Sequence, residues 1–246
     1  MNITLIIPDL HGKDTWKNMI TQTNPDQIVF LGDYFDCYGE YTAVEQITNF
    51  KEIIDYKQKN PNKIVKLLIG NHDHHYLPGI GFSQTSGYQV GAAPSIQQVL
   101  SENLEHLQMC HQDGKYLFTH AGVSSVFLDE TLGIDGWDVN EICNLINDLY
   151  KYKPKVFLFN GRDYYGYDVT QTPIWIRPEA LIMANKKSSI KSKYIQIVGH
   201  TKLNEIDIKG KATGGRYYFV DTLDSVNKQF LTIEDGVVKL HELAKI

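Results

Sequence analysis

Several apolar runs in this chain end in residues that can bind a cation or move a proton. Asp9 and His11 follow Ile3 to Ile7, Asp33 and Asp36 follow Ile28 to Leu31, and Asn71 and His72 follow Ile64 to Ile69. His120 comes directly after Tyr116 to Thr119, and His200 just after Tyr194 to Val198. Asp, His and Asn supply oxygen and imidazole donors with no thiolate, a set that suits manganese, iron or zinc. The donors are too many for one ion. Two divalent ions about 3.5 to 4 Å apart share a bridging carboxylate and clamp the attacking and leaving oxygens of an in-line phosphoryl displacement. Asp33 is the candidate bridge.

Such donors meet only if the runs are strands whose ends share one edge. The run Ile3 to Ile7, a helical stretch from Lys13 to Gln22 and the run Ile28 to Leu31 read as a β-α-β opening. Thr42 to Lys59 carries Val44, Ile47, Phe50 and Ile54 at helical spacing, and Asn60-Pro61-Asn62 stops it before the strand Ile64 to Ile69. Strands joined by helices run parallel, and their carboxyl ends converge on one edge of the sheet. The stretch from His74 to Pro94 reads as a long loop, followed by a helix capped by Ser95 and reaching Asn103. Leu107 to Met109 and Tyr116 to Thr119 read as strands around Asp113-Gly114, in a part that looks more antiparallel. Residues 138 to 151 form an amphipathic helix, and 152 to 178 is aromatic and irregular. Tyr194 to Val198, Tyr217 to Val220, Phe230 to Ile233 and Val237 to Leu240 read as strands of a second sheet packed on the first. No linker or repeat interrupts the chain, so a single domain over residues 1 to 246 is expected.

A chain of 246 residues, 42% hydrophobic, can bury a full core without staples, so any metal here is for chemistry. The three cysteines, Cys37, Cys110 and Cys143, lack the pairing of a zinc site or disulfide framework and fit a reducing compartment. No apolar run approaches the ~20 residues that span a membrane. The N-terminal segment is strand-like where a secretory signal would be basic and then apolar, so a cytoplasmic location is expected. A net charge of −5 argues against extensive nucleic-acid binding but is compatible with a small phosphorylated substrate, because metal ions make a local pocket positive.

Five segments resemble, in order, the signature blocks of the calcineurin-like metallophosphoesterases: Asp9-Leu10-His11-Gly12, Gly32-Asp33-Tyr34-Phe35-Asp36, Gly70-Asn71-His72-Asp73, His120-Ala121-Gly122 and Gly199-His200-Thr201. The likeness is strongest to the phosphoprotein phosphatase branch, which includes bacterial serine/threonine phosphatases and diadenosine tetraphosphate hydrolases. It implies an α/β (α+β) fold, a two-sheet β-sandwich of mixed strands flanked by helices. It also implies two divalent ions, with manganese expected and iron or zinc as alternatives. Asp9 and His11 would hold the first ion, Asp33 would bridge, and Asn71, His120 and His200 would hold the second. The pair of ions lowers the pKa of a shared water enough to supply hydroxide near neutral pH. His72 would protonate the leaving alkoxide, with Asp36 orienting its imidazole. Arg177, in the segment Thr172 to Pro178, resembles the arginine of a Trp-x-Arg-Pro element and would bind phosphate through its planar fork. The implied substrate is a phosphorylated protein or small phosphate ester, with a nucleotide such as a dinucleoside polyphosphate as the alternative and a non-catalytic scaffold as a further one.

The chain departs from that branch at two positions. Cys37 stands where the branch has a phosphate-contacting arginine, so either Arg177, Arg162 or Arg216 compensates or the substrate differs from a phosphoserine peptide, and Asp73 stands where the branch has glutamate. Cys37 reads either as a redox-sensitive thiol or as a small residue filling space. His74 and His75 read as solvated loop residues, and the run from Lys186 to Lys193 as a solvated charge run. Gly214-Gly215-Arg216 reads as a hairpin turn, and Asp221 as a residue behind a ligand histidine.

Overall fold

A computed structural model of the chain describes residues 2 to 244 apart from 82–86, 135, 161, 164 and 210–215. The opening follows the expected order: β1 (Ile3–Ile7), α1 (Trp16–Thr23), β2 (Gln27–Phe30), α2 (Ala43–Lys59) and β3 (Ile64–Leu68). Helix α2 starts where expected because Thr42 accepts from Glu45 N while the Glu45 carboxylate accepts from Thr42 N, a reciprocal cap. The loop expected after the third strand begins with one helical turn, α3 (Asn71–His74), and α4 (Ala93–Ser101) starts before Ser95, with Pro94 in its first turn.

The segment read as one strand at Leu107 to Met109 divides between two sheets, as β4 (Leu107–Gln108) and β5 (Cys110–Asp113). After β6 (Tyr116–Thr119) come α5 (Ile142–Tyr152), α6 (Pro178–Ala184) and α7 (Ser189–Lys193). The last helix occupies part of the lysine run expected to be loop. Strands β7 (Ile195–Val198), β8 (Asp207–Lys209), β9 (Tyr217–Phe219), β10 (Gln229–Glu234) and β11 (Val237–Glu242) complete the chain.

One sheet has the order β11-β10-β1-β2-β3-β4 and the other β5-β6-β7-β9-β8. The last two strands therefore belong to the first sheet. Strand β10 pairs antiparallel with β1, Ile3 opposite Glu234, because Leu231 and Ile233 are needed to bury the same face as Ile6. Within the first sheet β1, β2, β3 and β4 run parallel, and within the second β6, β7 and β9 do, while β5 and β6 pair antiparallel around Asp113-Gly114 as expected there. Alternation sets the layers: Ile6, Val29 and Leu68 meet Phe118, Ile197 and Tyr218 between the sheets, while Leu5, Ile7 and Phe30 turn outward under the helices. Burying each such side chain stabilises the fold by about 1.5–3 kcal/mol. Gly214 and Gly215 lie outside the described residues. Arg216 precedes β9, and because Asp221 follows that strand, the two lie beyond opposite ends of it.

Candidate active site

The parallel strands of both sheets deliver their following residues to one cavity of about 380 Å³, lined in part by His11, Asp33, Asn71, His72, Arg177 and His200. Strands β1, β2 and β3 supply Asp9 and His11, Asp33 and Asp36, and Asn71 and His72, while β6 and β7 supply His120 and His200. The backbone bends sharply to do this: His11, Asp33, Asp36 and His200 all have φ between 46° and 66°. That region is sparsely populated by residues with a Cβ, and clusters of such residues mark functional sites. Glycine is required at two approaches. A Cβ at Gly70 would fall on Asp33 Oδ1, and one at Gly199 on Asp9 Oδ1.

Backbone carbonyls fix the imidazoles. Nδ1 of His11 donates to Phe35 O at 2.8 Å and Nδ1 of His120 to Leu31 O at 2.9 Å, which leaves each Nε2 as a lone pair. His200 donates from Nε2 to Trp175 O at 3.1 Å, leaving Nδ1. Oδ1 of Asn71 lies 2.9 Å from His120 Nε2 and 3.0 Å from His200 Nδ1. Three lone pairs thus converge with no proton between them. Oδ2 of Asp33 lies 3.7 Å from His11 Nε2 and 3.4 Å from His120 Nε2, between the two groups. Asp9, His11 and Asp33 offer donor atoms all within 4.8 Å of one another.

The electrostatics of the cluster suit bound cations. Burial, with the charge of Asp221, pushes Asp9 well up, and burial with Asp9 and Asp73 does the same to Asp33. Burial lowers His11 and His120 to about 3 and carries His200 well below the usual histidine range, so all three are neutral at pH 7 and free to act as donors of a lone pair. Asp221 is raised to about 7 by burial and by Asp224, and its buried Oδ2 has no hydrogen-bond partner among the described residues. Its charge acts on Asp9, where the sequence reading put it behind a histidine. Converging lone pairs, crowded carboxylates and an orphaned oxygen fit a pair of divalent cations.

Beside this cluster, His72 Nδ1 lies 3.0 Å from Asp36 Oδ2. Burial alone would raise Asp36, but contacts with His72, His75 and Tyr76 hold it well below the usual carboxylate range. His75, expected in a solvated loop, is buried, with Nε2 2.8 Å from the same Asp36 oxygen. Tyr76 Oη at 2.6 Å and Gln89 Nε2 at 3.0 Å donate to the other oxygen. His74 is buried too, its Nε2 donating to Pro154 O. The signal for His75 was its spacing: three residues after His72 in a helical turn puts both rings on one side. Asp73, flagged as a departure, accepts from the backbone N–H groups of Asp33, Tyr34 and Gly70 and so ties the second block to the third.

Arg177 lines the cavity, with Nε donating to Tyr165 O and Nη1 to His200 O and Thr201 Oγ1. Arg162 is exposed and Arg216 borders a separate surface recess with Lys186, Lys187 and Lys191, so neither joins the cavity wall. Lys202 and Tyr38 do, and sequence reasoning missed both. Cys37 is buried in its own turn, donating to Tyr41 O at 2.8 Å and accepting from Gln46 Nε2 at 3.2 Å, a contact set that matches the space-filling reading.

Residues 4–204 match the profile of the calcineurin-like phosphoesterase domain. The chain belongs to the calcineurin-like phosphoesterase family. It is thus a phosphoesterase hydrolase, of a family that typically depends on two metal ions. No curated protein matches it significantly. Among solved structures it is similar to the cold-active protein-tyrosine phosphatase of a psychrophilic Shewanella species, with 16% identity and a TM-score of 0.64 over 99% of this chain and 81% of that one. It is also similar to a metallophosphoesterase from Sphaerobacter thermophilus, with 16% identity and a TM-score of 0.54 over 98% and 88% of the two chains. These likenesses show the two-sheet fold of this phosphoesterase. Among its described residues no helix is long and apolar enough to cross a membrane.

Proposed function

We propose that this phosphoesterase acts as one domain and hydrolyses phosphate monoesters at a dinuclear manganese centre. In this reading Asp9, His11 and Asp33 face one ion, and Asp33, Asn71, His120 and His200 face the other. The observation that carries it is the position of Asp33 Oδ2 within 3.7 Å of His11 Nε2 and 3.4 Å of His120 Nε2, where one carboxylate serves both groups. Bound there, the ions would supply a nucleophile at neutral pH and neutralise charge on the phosphoryl oxygens.

The protein's own residues do the rest. Asp36 holds the His72 ring through Nδ1, which leaves Nε2 to deliver a proton to the departing oxygen. Arg177, anchored on Tyr165, His200 and Thr201, presents its guanidinium to the phosphate. The carbonyls of Leu31, Phe35 and Trp175 keep three imidazoles aimed inward. Substrate is a phosphorylated protein or a small phosphate ester. A second reading, a dinucleoside polyphosphate hydrolase, is favoured by Tyr38 and Trp175 in the cavity wall, since aromatic rings stack on bases.

The test is turnover of p-nitrophenyl phosphate, bis-p-nitrophenyl phosphate and a diadenosine polyphosphate by stripped protein given Mn²⁺, with His72→Ala alongside. Monoester turnover that needs the ion and is lost in the variant supports the proposal. Preferential hydrolysis of either of the other two substrates would replace it, and no turnover of any would favour a scaffold.

A further inference from the structure

Lys202 is the cationic residue of the cavity wall that the reading above leaves without a task. It comes two residues after His200, yet its side chain turns toward the opposite group, with Nζ 5.3 Å from the centre of the Tyr38 ring. That ring in turn lies edge-on to His11 at 6.3 Å and to His72 at 6.0 Å between centroids. Arg177 enters beside His200 and Thr201. The two cations therefore border the cavity at different places, one near His11 and His72 and one near His200.

The ammonium is held in position. Asp224 divides its carboxylate, Oδ1 to Lys13 at 2.6 Å and Oδ2 to Lys202 at 2.5 Å. The two lysines share one carboxylate, while Asp221 adds its charge near Lys202 and Glu40 lies 3.3 Å from Lys13 on an exposed side chain where water screens the pair. An ammonium has three donors, of which Asp224 takes one, and the Tyr38 face restrains the group further. Lys13 is buried, whereas the Lys202 side chain is 51% exposed and open to the cavity, so Lys202 is the member of the pair that an incoming anion meets.

We infer that Lys202 binds the phosphoryl group and selects monoester dianions over diester monoanions. The inference rests on the phosphomonoesterase reading. A monoester carries close to two negative charges near neutrality because its second ionisation lies at about pH 6, and it offers three free phosphoryl oxygens. A diester carries one charge and offers two such oxygens, with a bulky group in place of the third. Lys202 meets the extra charge and oxygen that only the monoester has, whereas Arg177 serves both ester classes.

The experiment compares wild type, Lys202→Met and Lys202→Arg on p-nitrophenyl phosphate and bis-p-nitrophenyl phosphate, with inorganic phosphate as inhibitor. In Lys202→Met, KM for the monoester and Ki for phosphate rise about tenfold or more, the scale of a lost charge-assisted hydrogen bond, while kcat stays within about threefold. Diester kcat/KM stays within about twofold of wild type, and Lys202→Arg retains most monoester preference. Equal losses on both esters, or an unchanged Ki for phosphate, would overturn the inference. If wild type turned over neither ester, the phosphomonoesterase reading would fail by itself. Calorimetric binding of inorganic phosphate to Mn²⁺-loaded protein would then decide: weaker binding in Lys202→Met supports the role, equal binding removes it.

Discussion

Asp33 and His120 meet across the two sheets, Oδ2 of the carboxylate 3.4 Å from Nε2 of the imidazole. The first follows β2 of one sheet and the second follows β6 of the other, so the site exists only where the sheets pack. Burial of this carboxylate without a cation is unfavourable, and its protonation is correspondingly favoured. Asp33→Asn is therefore expected to leave the stability of metal-stripped protein unchanged or higher at pH 7.5. Activity with Mn²⁺ should fall by roughly 10³-fold, the scale of losing a main charge stabiliser. Thermal melts and steady-state assays on one preparation read both effects.

The pH dependence of the stripped protein follows from the same crowding. Asp73 and Asp221 titrate at about 7 in the folded state, with burial the main cause in each. An acid raised on folding binds more protons folded than unfolded. Its contribution to stability is full below its unfolded pKa of about 4 and is lost as pH rises through about 7. Melting temperature of stripped protein should fall from pH 7 to pH 9, above the range in which the unfolded chain's histidines take up protons, less steeply in Asp221→Asn, and Mn²⁺ should reduce the fall. A flat or rising profile would contradict this.

If His72 donates a proton to the leaving oxygen, its value depends on how much that oxygen needs one. His72→Ala should lower kcat by about 10²- to 10⁴-fold on phenyl phosphate and by clearly less on p-nitrophenyl phosphate, whose leaving group departs as the anion. Equal losses on both substrates would mean that His72 acts otherwise. Asp36→Asn should follow the same leaving-group pattern, because it acts through the ring it orients.

Gly70 and Gly199 matter for the space they leave. With a Cβ at either position, Asp33 or Asp9 must move off its present oxygen position. Gly70→Ala and Gly199→Ala should weaken Mn²⁺ binding by about tenfold or more, the usual effect of disturbing the groups that position ligands. Titration of Mn²⁺ into stripped protein, with circular dichroism as a fold control, checks this.

Much of the site was legible because it is built from strand ends. Apolar runs are visible in sequence, and a donor after each run in a parallel sheet has one place to go, so Asp9, Asp33, Asn71 and His120 read correctly as neighbours. What was not legible came from pairing and from loops. Phe230 to Ile233 looks like any strand, and nothing local says that its partner is β1 at the other end of the chain. His75 and Gln89 read as loop, yet both reach Asp36, because a buried carboxylate gathers donors from any segment that passes it. Arg216 was weighed as a phosphate ligand on residue type alone, and its strand sends it to the end away from the cavity.

The central claim is that one carboxylate joins two ions. Elemental analysis of the Mn²⁺-loaded protein after gel filtration, run on wild type and Asp33→Asn with monoester turnover measured on the same fractions, tests it most directly. The account predicts two ions per chain in active wild type, with fewer ions and lost turnover in the variant. One ion per chain in fully active wild type, or an Asp33→Asn variant that keeps two ions and full turnover, would contradict it.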